Sequence, residues 1–130
     1  MKLFDCTLYY DEDLILETRL NILDKYFDKF IICEAKYTHS GREKKLNFNI
    51  NKFPQFKDKI IYLVDDREPE GIIYENNDGK KIENPKNWRA NAVKRIAKQR
   101  NKLLESINKL ADENDFIFYS DNDEIPNICL

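Results

Sequence analysis

Hydrophobic and polar positions follow two different periods along the chain. Residues Lys2-Leu3-Phe4-Asp5-Cys6-Thr7-Leu8-Tyr9 read as a first strand, bounded by the acidic turn Asp11-Glu12-Asp13. From Leu14 the spacing changes. Leu16, Leu20, Leu23 and Phe27 fall on one helical stripe, with Ile15, Ile22 and Tyr26 beside it. Asp11 or Asp13 is placed to cap that helix, and acids in its first turn suit the positive end of the helix dipole. Three short apolar runs follow: Phe30-Ile31-Ile32-Cys33 ending at Glu34, Ile60-Ile61-Tyr62-Leu63-Val64 ending at Asp65-Asp66, and Asp115-Phe116-Ile117-Phe118-Tyr119 ending at Ser120-Asp121. Runs without polar alternation suit strands covered on both faces. A long helix is expected from about Trp88 to Ala111, with a core stripe of Val93, Ile96/Ala97, Arg100, Leu103/Leu104, Ile107 and Leu110/Ala111. This order predicts an α/β fold with a mostly parallel sheet. Residues 36–58 and 66–87 are polar and irregular, and residues 75–81 read as an exposed turn able to form a hairpin. Irregular insertions of that length tend to be functional or mobile loops.

Composition narrows the class. The chain has 130 residues, enough for one domain with a real core. Its 42% hydrophobic and 12% aromatic content argues against disorder. Lys and Arg (22) nearly balance Asp and Glu (24), which argues against a general nucleic-acid binder. No apolar run approaches the length of a membrane-spanning helix. Asp5 stands where a secretory signal needs an apolar stretch. Cys6, Cys33 and Cys129 lack metal-type spacing, and the first two sit inside apolar runs, which suits buried, reduced thiols and a reducing cytosol.

The candidate chemistry lies at the strand ends. Tyr9-Tyr10-Asp11, Glu34, Asp65-Asp66 and Asp121-Asn122-Asp123-Glu124 each follow an apolar run. Ligands of open α/β sheets bind at the carboxyl ends of strands, so these groups are expected to converge on one crevice. Clustered carboxylates call for a cation, and hard oxygen ligands suit Mg²⁺ or Mn²⁺. Asp121-x-Asp123 is the sharpest candidate. The bare pattern carries little, because a chain with 13 Asp should show it about once by chance. An Asp/Asn-rich turn closing a strand is the plain alternative. Arg100 interrupts the apolar stripe of the long helix, either snorkelling to water or held toward the acids as a bidentate donor. Arg89 and Arg95 read as solvated, and His39, the only His, reads as a surface residue. Tyr9, Tyr10 and Trp88 are half-buried aromatics or stacking platforms for a base or sugar. The chain has no Walker loop, no G-x-G-x-x-G and no zinc spacing.

Four stretches together resemble glycosyltransferase family 17, the β-1,4-N-acetylglucosaminyltransferase III-like proteins. They are Phe4-Asp5-Cys6-Thr7-Leu8-Tyr9-Tyr10 with Glu17-Thr18-Arg19-Leu20-Asn21-Ile22-Leu23; Phe30-Ile31-Ile32-Cys33-Glu34 with Thr38 and Gly41; Trp88 with Gln99-Arg100; and Asp115 through Pro126, similar to the family's "S-D-x-D-E-I-P" block. Asp11-Glu12 replaces the family's usual Asn-Glu. The resemblance implies a Rossmann-like GT-A-type domain binding a nucleotide sugar. It implies Asp121 and Asp123 on a Mn²⁺ or Mg²⁺ ion at the donor diphosphate, and Glu124 beside them or toward the sugar. It places Arg100 near the diphosphate or the acids, and Tyr9, Tyr10, Glu34 and Asp65 or Asp66 along the nucleotide pocket. By the same resemblance the donor is UDP-N-acetylglucosamine, the acceptor a glycan, and the transfer inverting.

Leu130 follows Pro126 by only four residues, whereas a GT-A domain continues into an acceptor half that carries the catalytic base. Residues 1–130 are thus expected to be the donor-binding portion, with an exposed sheet edge and weak or no transfer alone. The lack of the animal members' anchor, with a Lys-, Asn- and Ile-rich composition, points to a bacterial or viral relative acting in the cytoplasm, including at the inner face of the membrane. Two other classes fit less well. A sugar nucleotidyltransferase needs a Gly-rich basic loop after the first strand, where this chain has Tyr10-Asp11-Glu12-Asp13. A receiver-like Mg²⁺-binding signalling module needs a Lys after a fifth strand, and none is visible.

Overall fold

The computed structural model describes residues 1–77 and 80–128. Four strands form one sheet: β1 (Leu3–Tyr9), β2 (Lys29–Ala35), β3 (Ile60–Asp65) and, later in the chain, a strand at Phe116–Tyr119. A hairpin of β4 (Glu75–Asn77) and β5 (Lys80–Ile82) stands apart from it, so the Phe116–Tyr119 strand is β6. Sheet order is β3-β2-β1-β6 and every pairing is parallel. Helix α1 (Asp13–Leu23) joins β1 to β2, and α2 (Pro85–Leu110) precedes β6. The fold is α/β with a parallel sheet, as the pattern predicts, and Rossmann-like, as the resemblance implies.

Side-chain alternation divides the core between the two faces of the sheet. Phe30 and Ile32 of β2 pack with Leu16, Leu20 and Leu23 of α1 and with Phe53 and Phe56 from two short 3₁₀ turns. Ile31 and Cys33 face the other way, with Phe4, Cys6 and Leu103 of α2. Both faces of β2 are therefore covered, which is why its sequence runs apolar without alternation. Cys6 and Cys33 are free and buried. Burial pushes both thiols up to about 12, the state of inert, reduced cysteines. Cys129 lies outside the described residues. So do Asp78 and Gly79, the tip of the expected hairpin turn.

Several expectations need correction. β6 is not covered on both faces; Phe116, Ile117, Phe118 and Tyr119 are each 37–56% exposed. Among the described residues it is an edge strand, paired only with β1. Neither Asp11 nor Asp13 caps α1. The cap position is Glu12, whose side chain makes no capping bond. Its carboxylate instead accepts the backbone N–H groups of Tyr10 (2.9 Å) and Asp11 (3.1 Å). Asp13 is taken by the Tyr9 hydroxyl and Lys52. Phe27 reaches the core from beyond the end of α1.

Helix α2 starts at Pro85, where Asn84 accepts the Lys86 N–H and Pro sits in the first turn. Its buried stripe is Asn91, Ala92, Arg95, Gln99 and Leu103, not the apolar one expected. Val93 (58%), Leu104 (55%) and Leu110 (43%) are exposed. The cause is what each part of the helix meets. From Gln99 onward it lies on the sheet, where Gln99 donates to the Cys33 carbonyl of β2 (3.2 Å) and Leu103 packs, while its N-terminal half meets loops whose polar groups need partners. Asn91 both donates to the Ile73 carbonyl (2.8 Å) and accepts its N–H (2.9 Å). Among the described residues no helix is long and apolar enough to cross a membrane.

Candidate functional site

A crevice of about 710 Å³ opens at the carboxyl ends of β1 and β6, a size usual for small-molecule sites. Asp121 and Asp123 form one wall, the Tyr37–Ser40 loop another, and Trp88 and Arg100 of α2 close the side. Asp121 Oδ1 and Arg100 Nη2 stand 3.9 Å apart, and both side chains are about half exposed. The Arg100 guanidinium also lies 5.7 Å from the centre of the Tyr119 ring. Arg100 is thus not a core residue of α2, as its place on the apolar stripe suggested. It sits beside the acids, the other position considered for it. Glu124 does not line the crevice. It closes the turn: its N–H donates to the Asp121 carbonyl (2.9 Å) and its Oε2 lies 3.4 Å from the Asp121 nitrogen.

Tyr9 and Tyr10 line this crevice too, but the other strand-end acids do not converge there. Glu34 is fully buried, and its carboxylate accepts from the backbone nitrogens of Asn47 (2.7 Å) and Phe48 (3.0 Å), the Tyr62 hydroxyl (2.8 Å) and Lys44. Asp65 is taken by Lys98, and Asp66 is exposed, 4.0 Å from Arg67. Glu34, Asp65 and Asp66 are therefore not among the crevice residues. A carboxylate at a strand end is held by whichever donors the adjoining loop supplies, and here those loops supply enough. Tyr9 is buried with its hydroxyl on Asp13, which with burial pushes its pKa up, and its ring stands edge-on to Phe48. Of the expected aromatics, Tyr10 (46%) and Trp88 (52%) are exposed in the crevice.

Arg95 corrects a further expectation. It is not solvated but 5% exposed. Its guanidinium donates to both oxygens of Glu68 (3.1 and 3.2 Å), to the His39 carbonyl (3.0 Å) and to Glu83. One cation thus ties together three irregular segments of chain. Gly41, at φ +82°, lies against it; a Cβ there would fall on Arg95 Nη2 and Glu83 Oε1. His39 is exposed, as expected of a surface residue, and it lines the crevice. Partial desolvation at the crevice wall, then Arg100 and Arg95, push its pKa down, so the neutral imidazole is favoured.

Two residues of the site were missed in the sequence. Arg19 is fully buried beneath the acid loop, with a bidentate pair to Asp5 at 2.7 Å on both arms. Its signal was present: Arg19 falls on the Leu16-Leu20-Leu23 stripe, where a charge needs a partner. Asn122, between the two acids, is 6% exposed, lines the crevice and has neither amide atom hydrogen-bonded. Nothing in a D-N-D string foretells which residue turns inward.

Among the described residues no group of three or more His, Cys, Asp or Glu is arranged to hold a metal. Asp121 and Asp123 offer two exposed carboxylates to the crevice. That set fits Mg²⁺ or Mn²⁺, which bind through one or two carboxylates and complete their shells with water and substrate phosphates. The sequence matches the family model of glycosyltransferase family 17 over residues 1–129. No curated protein and no solved structure matches.

Proposed function

The chain belongs to glycosyltransferase family 17, and on that premise we propose that its crevice takes the diphosphate of a nucleotide-sugar donor. Asp121 and Asp123 would hold a Mn²⁺ or Mg²⁺ ion, with Arg100 alongside. The donor proposed is UDP-N-acetylglucosamine and the acceptor a glycan hydroxyl. In the transfer, the bond from the sugar's anomeric carbon to the diphosphate oxygen breaks, the electron pair leaving with the diphosphate, and a bond to the acceptor oxygen forms as a general base takes that oxygen's proton. When bound, the metal offsets charge on the leaving diphosphate. Arg100, a planar donor free to form a fork with phosphate oxygens, adds to that offset. Tyr10 and Trp88 offer exposed rings on which a base or sugar can stack. Glu124 acts through the turn that sets Asp121 rather than by touching the donor.

The carrying observation is Arg100 beside Asp121 at 3.9 Å, with both half exposed. A pair so open to water contributes at most about 1 kcal/mol to folding. Stability does not explain it, whereas a dianionic ligand with a divalent cation uses both charges. Calorimetric titration of UDP with and without Mn²⁺, on the parent chain and on Asp121→Ala/Asp123→Ala, tests the reading. Mn²⁺-dependent binding that the double variant loses is expected. Binding indifferent to Mn²⁺, or retained by the double variant, refutes it.

A further inference from the structure

We propose that Arg19 is a positioning residue, whose guanidinium holds the Ser120–Glu124 loop by its carbonyls and so turns the carboxylates of Asp121 and Asp123 outward into the crevice. The inference deepens the donor-site reading above and rests on it.

The geometry is specific to a guanidinium. Nε and Nη2 hold the two oxygens of Asp5 at 2.7 Å each, and Asp5 lies buried in the central strand β1. Nη2 also donates to Ser120 Oγ (2.7 Å), which in turn donates to the Glu124 carbonyl (2.7 Å). Nη1 faces three carbonyl oxygens of the loop: Asp121 (2.9 Å), Glu124 (3.2 Å) and Asn122 (3.4 Å). Each of its three nitrogens thus has at least one acceptor. Asp5 neutralises the charge, and the remaining fork points at the loop. A Lys is a point charge and cannot span both sets of acceptors. Leu16, Leu20 and Leu23, all fully buried, fix the helix face that carries Arg19.

Drawing these carbonyls to one point decides where the side chains go. Asp121, Asp123 and Glu124 are exposed, and the first two line the crevice, while Asn122 between them is turned in. The unpaired Asn122 amide is the cost of that trace. A loop following its own preference would not bury an amide without a partner. The conformation is therefore imposed, and Arg19 is the group placed to impose it.

Arg19→Lys and Ser120→Ala test this, with Leu103→Ala as a variant destabilised on the opposite face of the sheet. The first readout needs no ligand. It is the exchange rate of the Glu124 amide, bonded to the Asp121 carbonyl, relative to the Lys36 amide, bonded to the Asp65 carbonyl. The second is the affinity of the folded protein for UDP with Mn²⁺. Arg19→Lys is expected to raise the exchange ratio and weaken binding by about tenfold, the scale of losing a charge-assisted hydrogen bond. Ser120→Ala, which leaves the buried ion pair intact, should move both in the same direction by about threefold. Leu103→Ala should lower the melting temperature and leave both readouts unchanged. An unchanged exchange ratio in Ser120→Ala and in folded Arg19→Lys overturns the proposal, as does a loss of affinity equal to that of Leu103→Ala. If Arg19→Lys does not fold, Ser120→Ala decides. If the parent chain does not bind UDP with Mn²⁺, the donor-site reading fails and the exchange ratio alone decides for or against Arg19.

Discussion

Replacing Arg95 by Met removes the cation that three segments share while keeping an apolar stem of similar reach. The side chain is 4% exposed, and its partners Glu68 and Glu83 are 23% and 13% exposed. All three are below the third at which water screens a pair heavily. Breaking a buried pair on one side costs about 3–5 kcal/mol, because the other charge stays dehydrated. Glu68 and Glu83 keep some water, so the low end, about 3 kcal/mol, is the expected loss. For a domain between the sizes usually tabulated this is a fall of about 10 °C in melting temperature. Glu83→Gln in the same background should recover part of the loss, since the stranded charge is then gone. The assay is urea unfolding of the parent, both single variants and the double variant. The pH dependence gives a second check. The hydrogen bond from Arg95 holds the Glu83 carboxyl below its ordinary 4.5 despite burial. A carboxylate depressed by folding contributes stability that is present above its unfolded value and lost as pH falls through the folded one. Arg95→Met should flatten that acid limb. A loss under about 1 kcal/mol, or additive effects of Arg95→Met and Glu83→Gln, would show the cluster to be an ordinary solvated one.

Two further outcomes follow from the same geometry. Asn122→Ala removes an amide buried without partners and should raise the unfolding free energy by about 1 kcal/mol, read from the urea midpoint; a loss of that size would mean the amide is satisfied in solution. His39 has its pKa lowered from 6.5 by partial desolvation first and then by Arg100 and Arg95, so its contribution is present above pH 6.5 and declines as pH falls toward the folded value. The parent should therefore lose slightly more stability than His39→Gln as pH falls below 6.5, a small difference because water screens an exposed imidazole, and parallel profiles would refute the assignment.

The strands, both helices and the α/β class were legible because they rest on local periodicity. A run such as Phe30-Ile31-Ile32-Cys33 can be satisfied only where both faces are covered, and α1 and α2 cover them. Helix α2 was legible in extent but not in facing. Its apolar positions predict a core stripe only if a sheet lies along its whole length, and half of it meets loop backbone instead. Arg95 and Arg100 show the consequence. Arg95, expected to be solvated, is buried because it meets Glu68 and Glu83, while Arg100, five positions on, stands half exposed beside Asp121.

The candidate acids divide in the same way. Their positions after apolar strands were readable, but which of them reach the crevice depends on the donors in the adjoining loops. Glu34 and Asp65 find buried partners and withdraw, while Asp121, paired only loosely with the half-exposed Arg100 at 3.9 Å, and Asp123 stay open to the crevice. The bonds from Arg19 to the Ser120 hydroxyl and the loop carbonyls span 101 to 105 positions of sequence. No local pattern records them. Periodicity and strand-end chemistry, both short-range properties, are set by the amino-acid order alone. The choice of buried charge, of its partner and of the side chains left facing the crevice is made only when distant segments compete for the same hydrogen bonds.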